Sequence, residues 1–223
     1  MQNLTLIIPA KNESESLPSV LDELKKYNCK IMVVLEKNDE PTINSIKDYD
    51  LQIIYQSGKG YGNALIEGIN NVTTEFLCIF NADGSFNPKY LDNMLKKVNS
   101  TNDLVFASRY MGNESGSEDD TLLTKIGNYF FSLIGNIFFS LNLSDILFTY
   151  ILGKSKSFKS LNLNSNDFCL CVEIPIKARR KEIQFIDMPS FERKRIAGKK
   201  KVNEFKDGFL ILISIIKLLI LKK

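Results

Sequence analysis

The chain predicts an α/β fold, a mostly parallel central sheet flanked by helices, and three observations carry that prediction. Short apolar runs alternate with stretches of helical period over the first 110 residues. Three polar residues, Glu36, Asp83 and Arg109, each follow closely on an apolar run, at the carboxyl ends where open parallel sheets place their ligands. With 223 residues, 44% of them hydrophobic, the chain can bury one sizeable core.

Taken in order, residues 4–9 (LTLIIP) read as a strand, and apolar residues at 17, 20, 21 and 24 then mark a helix with Pro18 in its first turn. Residues 30–35 (KIMVVL) are a second strand, followed by a short helix, PTINSIKDY. A third strand at 51–55 leads into the helix GYGNALIEGINN, and a fourth at 76–80 into NPKYLDNMLKKV. The fifth strand is 103–108 (DLVFAS), and a later one is IQFIDMP, 183–189. The polar segment MGNESGSEDD (111–120) reads as a mobile loop.

The second half changes character. Residues 122–143 are apolar apart from a stripe at Lys125, Asn128, Ser132, Asn136 and Ser140, whose steps of three and four share one helical face. Phenylalanines and a tyrosine cover much of the remaining circumference, which favours a helix in a membrane interface over a soluble core helix. Residues 209–221 would form about 20 Å of apolar helix against a hydrocarbon core of roughly 30 Å. That is short for a span, so with Lys217, Lys222 and Lys223 to snorkel, the segment is expected to lie on a bilayer. We therefore expect one domain over 1–205, including the helix at 122–143, and a membrane-associating amphipathic helix over 206–223.

Composition narrows the chemistry. There is no histidine, which removes the commonest general base and transition-metal ligand and leaves carboxylates, cations or an oxygen-held metal. A net charge of +3 gives no reason to invoke nucleic acid. Cys29, Cys78, Cys169 and Cys171 have neither disulfide-framework nor zinc spacing, which fits a reducing compartment, and the N-terminal residues lack a signal-peptide pattern.

Three motifs carry candidate chemistry. GKGYGNALIEG (58–68) follows a strand and opens a helix, with Asp83 about 20 residues on. Its glycines, however, are spaced G-x-G-x-G, and the unit is the third along the sheet, both against a dinucleotide fingerprint. NADGSF puts Asp83 at the end of a central strand, where one carboxylate can hold Mg²⁺ or Mn²⁺ shared with a diphosphate. FERKRIAGKKK (191–201) clusters Arg193, Lys194, Arg195, Lys199, Lys200 and Lys201, a site for phosphate or anionic lipid; no aromatic residues interleave the cations for stacking nucleic-acid bases.

In order along the chain, LIIPAKNESESL, MVVLEKND, GKGYGNALIEGI, FNADGSFNPKYL, FASRY, LSDILFTY, VEIPIKA and ERKRIAGKKKVNEFKDG resemble family-two glycosyltransferases of the GT-A fold. Within that family the likeness is to the dolichyl- or polyprenyl-phosphate glycosyltransferases. The resemblance implies a nucleotide-sugar donor, a divalent metal (Mg²⁺ or Mn²⁺), and inverting transfer to a polyprenyl phosphate at the cytoplasmic membrane face by a peripheral protein. It places Pro9, Ala10, Asn12, Glu13, Glu36, Lys59 and Asn81 on the donor side, and Asp83 at the last acid of a D-x-D metal motif. Arg109 falls beside the phosphates as a catalytic cation with Asp83, and Arg195 and Lys201 grip the acceptor phosphate. The chain departs from that pattern at Leu35-Glu36, where relatives carry two aspartates, and at Asn81-Ala82-Asp83, where they carry Asp-Ala-Asp. An arginine that relatives place after Ser-Asp is replaced within FTYILGK. A saccharide acceptor, or a non-catalytic nucleotide-sugar-binding membrane module, are the alternative readings, and self-association is left open.

Overall fold

The computed structural model describes residues 1–98, 101–198 and 200–221; Lys199, Lys222 and Lys223 of the basic runs lie outside them. Nine strands and eight α-helices are assigned among the described residues. The first half is β1 (Leu4–Pro9), α1 (Leu17–Leu24), β2 (Lys30–Leu35), α2 (Glu40–Ile46), β3 (Gln52–Tyr55), α3 (Tyr61–Asn71), β4 (Phe76–Ile79), α4 (Leu91–Lys97) and β5 (Leu104–Ser108). There follow β6 (Gly116–Ser117), α5 (Leu122–Phe139), β7 (Ile151–Lys154), α6 (Ser155–Ser160), α7 (Leu170–Arg180), β8 (Phe185–Pro189), β9 (Phe191–Glu192) and α8 (Glu204–Ile220).

Seven strands form one sheet in the order β3-β2-β1-β4-β7-β5-β8. The pairings are parallel except those of β7, which runs antiparallel to β4 on one side and β5 on the other. Two reversals restore direction, so β5 and β8 end at the same edge as β1, β2 and β4. Alternation along β1 sends Leu4, Leu6 and Ile8 to one face, under α1, and Ile7 to the other, under α3. Each face carries its own core, as a doubly covered sheet requires.

Some elements depart from the sequence reading. β7 and α7 were not expected as a strand and a helix. β7 has four residues including a glycine and is specified by partners on both sides, a non-local signal. α7 is buried nearly all round and contains Pro175, so no amphipathic period marks it. The segment 111–120, expected as a mobile loop, is tied down. Its β6 pairs with β9, and Ser117 Oγ accepts the N–H groups of Asp119 and Asp120 at 3.1 and 3.0 Å.

Candidate active site

The carboxyl edge of the sheet surrounds a cavity of about 570 Å³. Its lining draws on the loop after β1, the turn after β4, the start of the segment after β5, and the basic strap that leads from β9 to α8. Leu147, Phe148 and Thr149 also line it because antiparallel β7 starts at the edge where its neighbours end.

The stop of β4 on Asn-Ala-Asp-Gly has a local cause. Asp83 Oδ1 accepts the Ser85 N–H at 3.0 Å, and Gly84 takes φ +83°, which a side chain would resist. Asn81 Nδ2 donates to Ser85 Oγ at 3.2 Å. The turn is clamped from outside, where the Ile196 N–H donates to the Asp83 carbonyl at 2.8 Å. Asp83 Oδ2 faces the Arg195 Nη1 at 3.5 Å, an ion pair beyond hydrogen-bond range. Among the described residues no three His, Cys, Asp or Glu side chains are grouped to hold a metal. A cation on Asp83 must then take its other ligands from a diphosphate and water, which is how Mg²⁺ commonly binds. One hard, open carboxylate oxygen fits that mode.

The loop after β1 is held by α2. Asn12, at φ +52°, donates its N–H to Asp39 Oδ2 at 2.7 Å, and the Glu13 N–H reaches Thr42 Oγ1 at 3.0 Å. Pro9, Ala10, Asn12, Glu13 and Glu36 all line the cavity, with Glu36 paired to Lys11 Nζ at 2.8 Å. Lys59 is exposed and is not among the lining residues. The glycine run around it serves chain packing. Gly60 takes φ +102°, and a Cβ there would lie 2.2 Å from the Asn166 carbonyl, the same oxygen that accepts the Asn63 N–H. That close approach explains the glycine without a phosphate cradle.

Arg109 also lines the cavity, and four of its five guanidinium N–H donors go to protein. Nε and Nη2 grip Asp145 at 2.8 and 3.0 Å, while Nη1 donates to Asp120 at 3.0 Å and Glu192 at 3.1 Å. Its guanidinium carbon lies 4.5 Å from the Phe148 ring centroid. These bonds make Arg109 a buried hub at the cavity wall, joining the end of β5, the residues before α5, the loop after α5, and β9. Burial works against the Arg109 charge, yet Asp145, Glu192 and Asp120 outweigh it and hold its pKa well above the ordinary value.

Burial raises the Glu192 pKa, with Arg109 and Ser117 opposing. A raised carboxyl binds its proton more tightly in the folded chain. Its contribution to stability is therefore complete below the ordinary 4.5 and is lost as pH rises through the raised value. Glu192→Gln is expected to gain stability relative to wild type across that weakly acidic window. Denaturant midpoints of the two proteins from acid to neutral pH check it.

The basic strap brings cations to the cavity, each already partnered. Arg195 holds Asp119, Lys200 Nζ meets Thr124 Oγ1 at 2.7 Å and Glu204 at 3.2 Å, and Lys201 Nζ donates to the Lys11 carbonyl and to Glu13. An ammonium has three donors, so Lys200 and Lys201 each retain capacity for an anion. Sequence reasoning missed Asp119, Asp120, Glu192, Tyr61 and Phe168 as lining residues. The Tyr61 and Phe168 rings stack at 5.0 Å, a contact between the start of α3 and the turn before α7, far apart in sequence.

Two helices close one side of the cavity and face outward with apolar surface. Thr124 of α5 and Ile211 of α8 line it. On α5 the middle of the polar stripe turns inward, while Lys125 and Ser140 at its ends stay exposed: the Oδ1 of Asn128, Oγ of Ser132 and Oδ1 of Asn136 accept the N–H groups of Leu147, Ile146 and Leu143 at 3.1, 3.1 and 3.0 Å. These bonds serve an irregular loop that would otherwise bury unpaired backbone. The opposite face carries Leu122, Ile126, Tyr129, Phe130, Leu133 and Ile137 exposed, with Tyr129 at 71% and Ile137 at 64%. α8 packs on α5 and α7 through Ile211 and Ile215, and leaves Phe205, Phe209 and Ile220 exposed at 78%, 64% and 73%. By length and composition α5 alone among the described helices is long and apolar enough to cross a membrane.

The family model described as Glycosyl transferase family 2 matches residues 5–161. Uncharacterized glycosyltransferases of Mycobacterium bovis and Mycobacterium tuberculosis are 28% identical over 106 residues, 48% of this chain and 48% of each relative. The chain thus spans about half the length of the curated relatives it matches. Among solved structures, glucosyl-3-phosphoglycerate synthase from M. tuberculosis with Mn²⁺, UDP and glucosyl-3-phosphoglycerate aligns at TM-score 0.74 and 12% identity, over 98% of this chain and 80% of that one. Mannosyl-3-phosphoglycerate synthase from Rubrobacter xylanophilus aligns at TM-score 0.69 and 12% identity, over 97% and 72%. At such identities the likeness establishes the GT-A fold.

Proposed function

This chain belongs to glycosyl transferase family 2, and from that premise we propose that it transfers a sugar, with inversion, from a nucleotide-sugar donor to a polyprenyl phosphate at the cytoplasmic face of a membrane. The observation that carries the acceptor is α5, whose polar side is spent on the loop beneath it and whose apolar side is turned out beside the cavity. Contiguous exposed apolar surface of this kind marks an interaction site. Exposed Lys125, Lys206 and Lys217 on the same two helices suit an anionic bilayer surface.

The loop 9–13, Glu36 and Asn81 form the donor side, and Arg195, Lys200 and Lys201 the phosphate side. Asp83, beside Asn81, would hold the divalent ion. Bound there, that ion would neutralise charge on the departing diphosphate. A phosphate monoester has its second pKa near 6, so at neutral pH the acceptor is already an oxyanion and needs no strong base. The strap cations orient it and offset its charge in a partly closed site. Arg109 acts one step back, by fixing Asp120 and Glu192 and, through them, the ledge from which the strap departs.

A second reading has a small water-soluble phosphorylated acceptor, because the similar M. tuberculosis synthase has been solved with phosphoglyceric acid. The helices discriminate. Ile126→Glu combined with Phe209→Glu is expected to abolish flotation with anionic liposomes and transfer to a long-chain polyprenyl phosphate embedded in them. Transfer to a short-chain acceptor in detergent should persist. Wild-type protein that ignores liposomes and works only on a soluble acceptor would favour the second reading.

A further inference from the structure

The strap offers Asp83 a cation that it does not bond. Arg195 presents its Nε and Nη2 edge to Asp119, at 3.2 and 2.5 Å, and leaves Nη1 3.5 Å from Asp83 Oδ2. Asp119 is anchored in turn. Its N–H donates to Ser117 Oγ at 3.1 Å, Ser117 Oγ donates to Glu192 Oε2 at 2.6 Å, and Glu192 accepts from the buried Arg109. The chain of bonds fixes the guanidinium close enough to Asp83 to act through space, and too far to occupy its open oxygen.

We propose that Asp119 is a positioning residue that holds Arg195 off Asp83, so that Oδ2 stays open to a divalent cation while Nη1 stays turned into the cavity. The proposal rests on the reading of Asp83 as the metal-holding carboxylate. Without Asp119, the guanidinium loses its bidentate partner, and Asp83 is the carboxylate it already faces. Closing the remaining gap makes a charge-assisted hydrogen bond on Oδ2. A carboxylate neutralised in that way is a poorer ligand for a hard cation.

The proposal separates Asp119 from the ligands proper, because removing both Asp119 and Arg195 should undo the defect that removing Asp119 alone creates. Mn²⁺ affinity is read directly, from the electron paramagnetic resonance signal of the free ion, with and without UDP or GDP. Asp119→Ala is expected to bind Mn²⁺ roughly tenfold more weakly than wild type, the scale of one charge-assisted bond. Asp119→Ala with Arg195→Ala should return to wild-type affinity or better. Asp119→Asn, which keeps an acceptor for Nε–H, should fall between. In turnover, the Asp119→Ala loss should appear in the Mn²⁺ concentration required more than in kcat at saturating Mn²⁺. Unchanged Mn²⁺ affinity in Asp119→Ala overturns the proposal, as does a double variant as weak as the single one. Wild-type protein that binds no Mn²⁺, even with nucleotide, overturns the metal reading of Asp83 itself and the proposal with it.

Discussion

Asp83→Ala is expected to lower sugar transfer roughly 10³-fold, since several kcal/mol of charge stabilisation at the diphosphate depend on that carboxylate. The fold should survive. Asp83 gives the turn one hydrogen bond, to the Ser85 N–H, and a loose ion pair with Arg195, together worth about 1–2 kcal/mol. The clamp from the Ile196 N–H is to the backbone carbonyl and remains. Asp83→Asn separates charge from shape, because the amide retains an acceptor for Ser85 and loses the anion. Steady-state transfer assays with melting curves alongside check both variants. Activity near wild type in either would remove a metal from the account.

The second large effect is on stability. Arg109→Ala is expected to cost about 3–5 kcal/mol, the range for breaking a buried ion pair from one side, because it strands carboxylates largely withdrawn from water, Asp145 above all. Asp145 is fully buried, Asp120 and Glu192 nearly so, and each belongs to a different segment. Against a typical total of about 5–15 kcal/mol, such a loss can unfold the chain outright. Arg109→Lys keeps the charge but cannot fork to three partners, and should fall between. Urea denaturation measures both. A loss under about 1 kcal/mol for Arg109→Ala would show that the hub is not what joins these segments.

The contrast between these two residues shows what the sequence could convey. The place of Asp83 was legible because it follows from position: a carboxylate at the end of a central parallel strand faces the cavity wherever the fold is of this class. Glu36 and the loop 9–13 were legible for the same reason, and strands β1 and β2 for their clean apolar runs. Arg109 was placed correctly at a strand end, yet its duty depends on Asp120, Asp145 and Glu192, up to 83 residues distant, and no local pattern announces such a meeting. Lys59 failed conversely: a suggestive glycine motif exists to let residue 166 approach α3. The apolar character of 122–143 was plain, but not that Asn128, Ser132 and Asn136 would face inward. Side chains that serve a loop's backbone look the same in sequence as side chains that serve water.

The most direct test of the account is the fate of the transferred sugar. Purified full chain is incubated with labelled nucleotide sugars and Mn²⁺, with polyprenyl phosphate in anionic liposomes or with 3-phosphoglycerate in solution, and the label is partitioned between organic and aqueous phases. The account predicts organic-phase label that requires the lipid phosphate and disappears with Asp83→Ala. Label that stays in water and follows phosphoglycerate would contradict it.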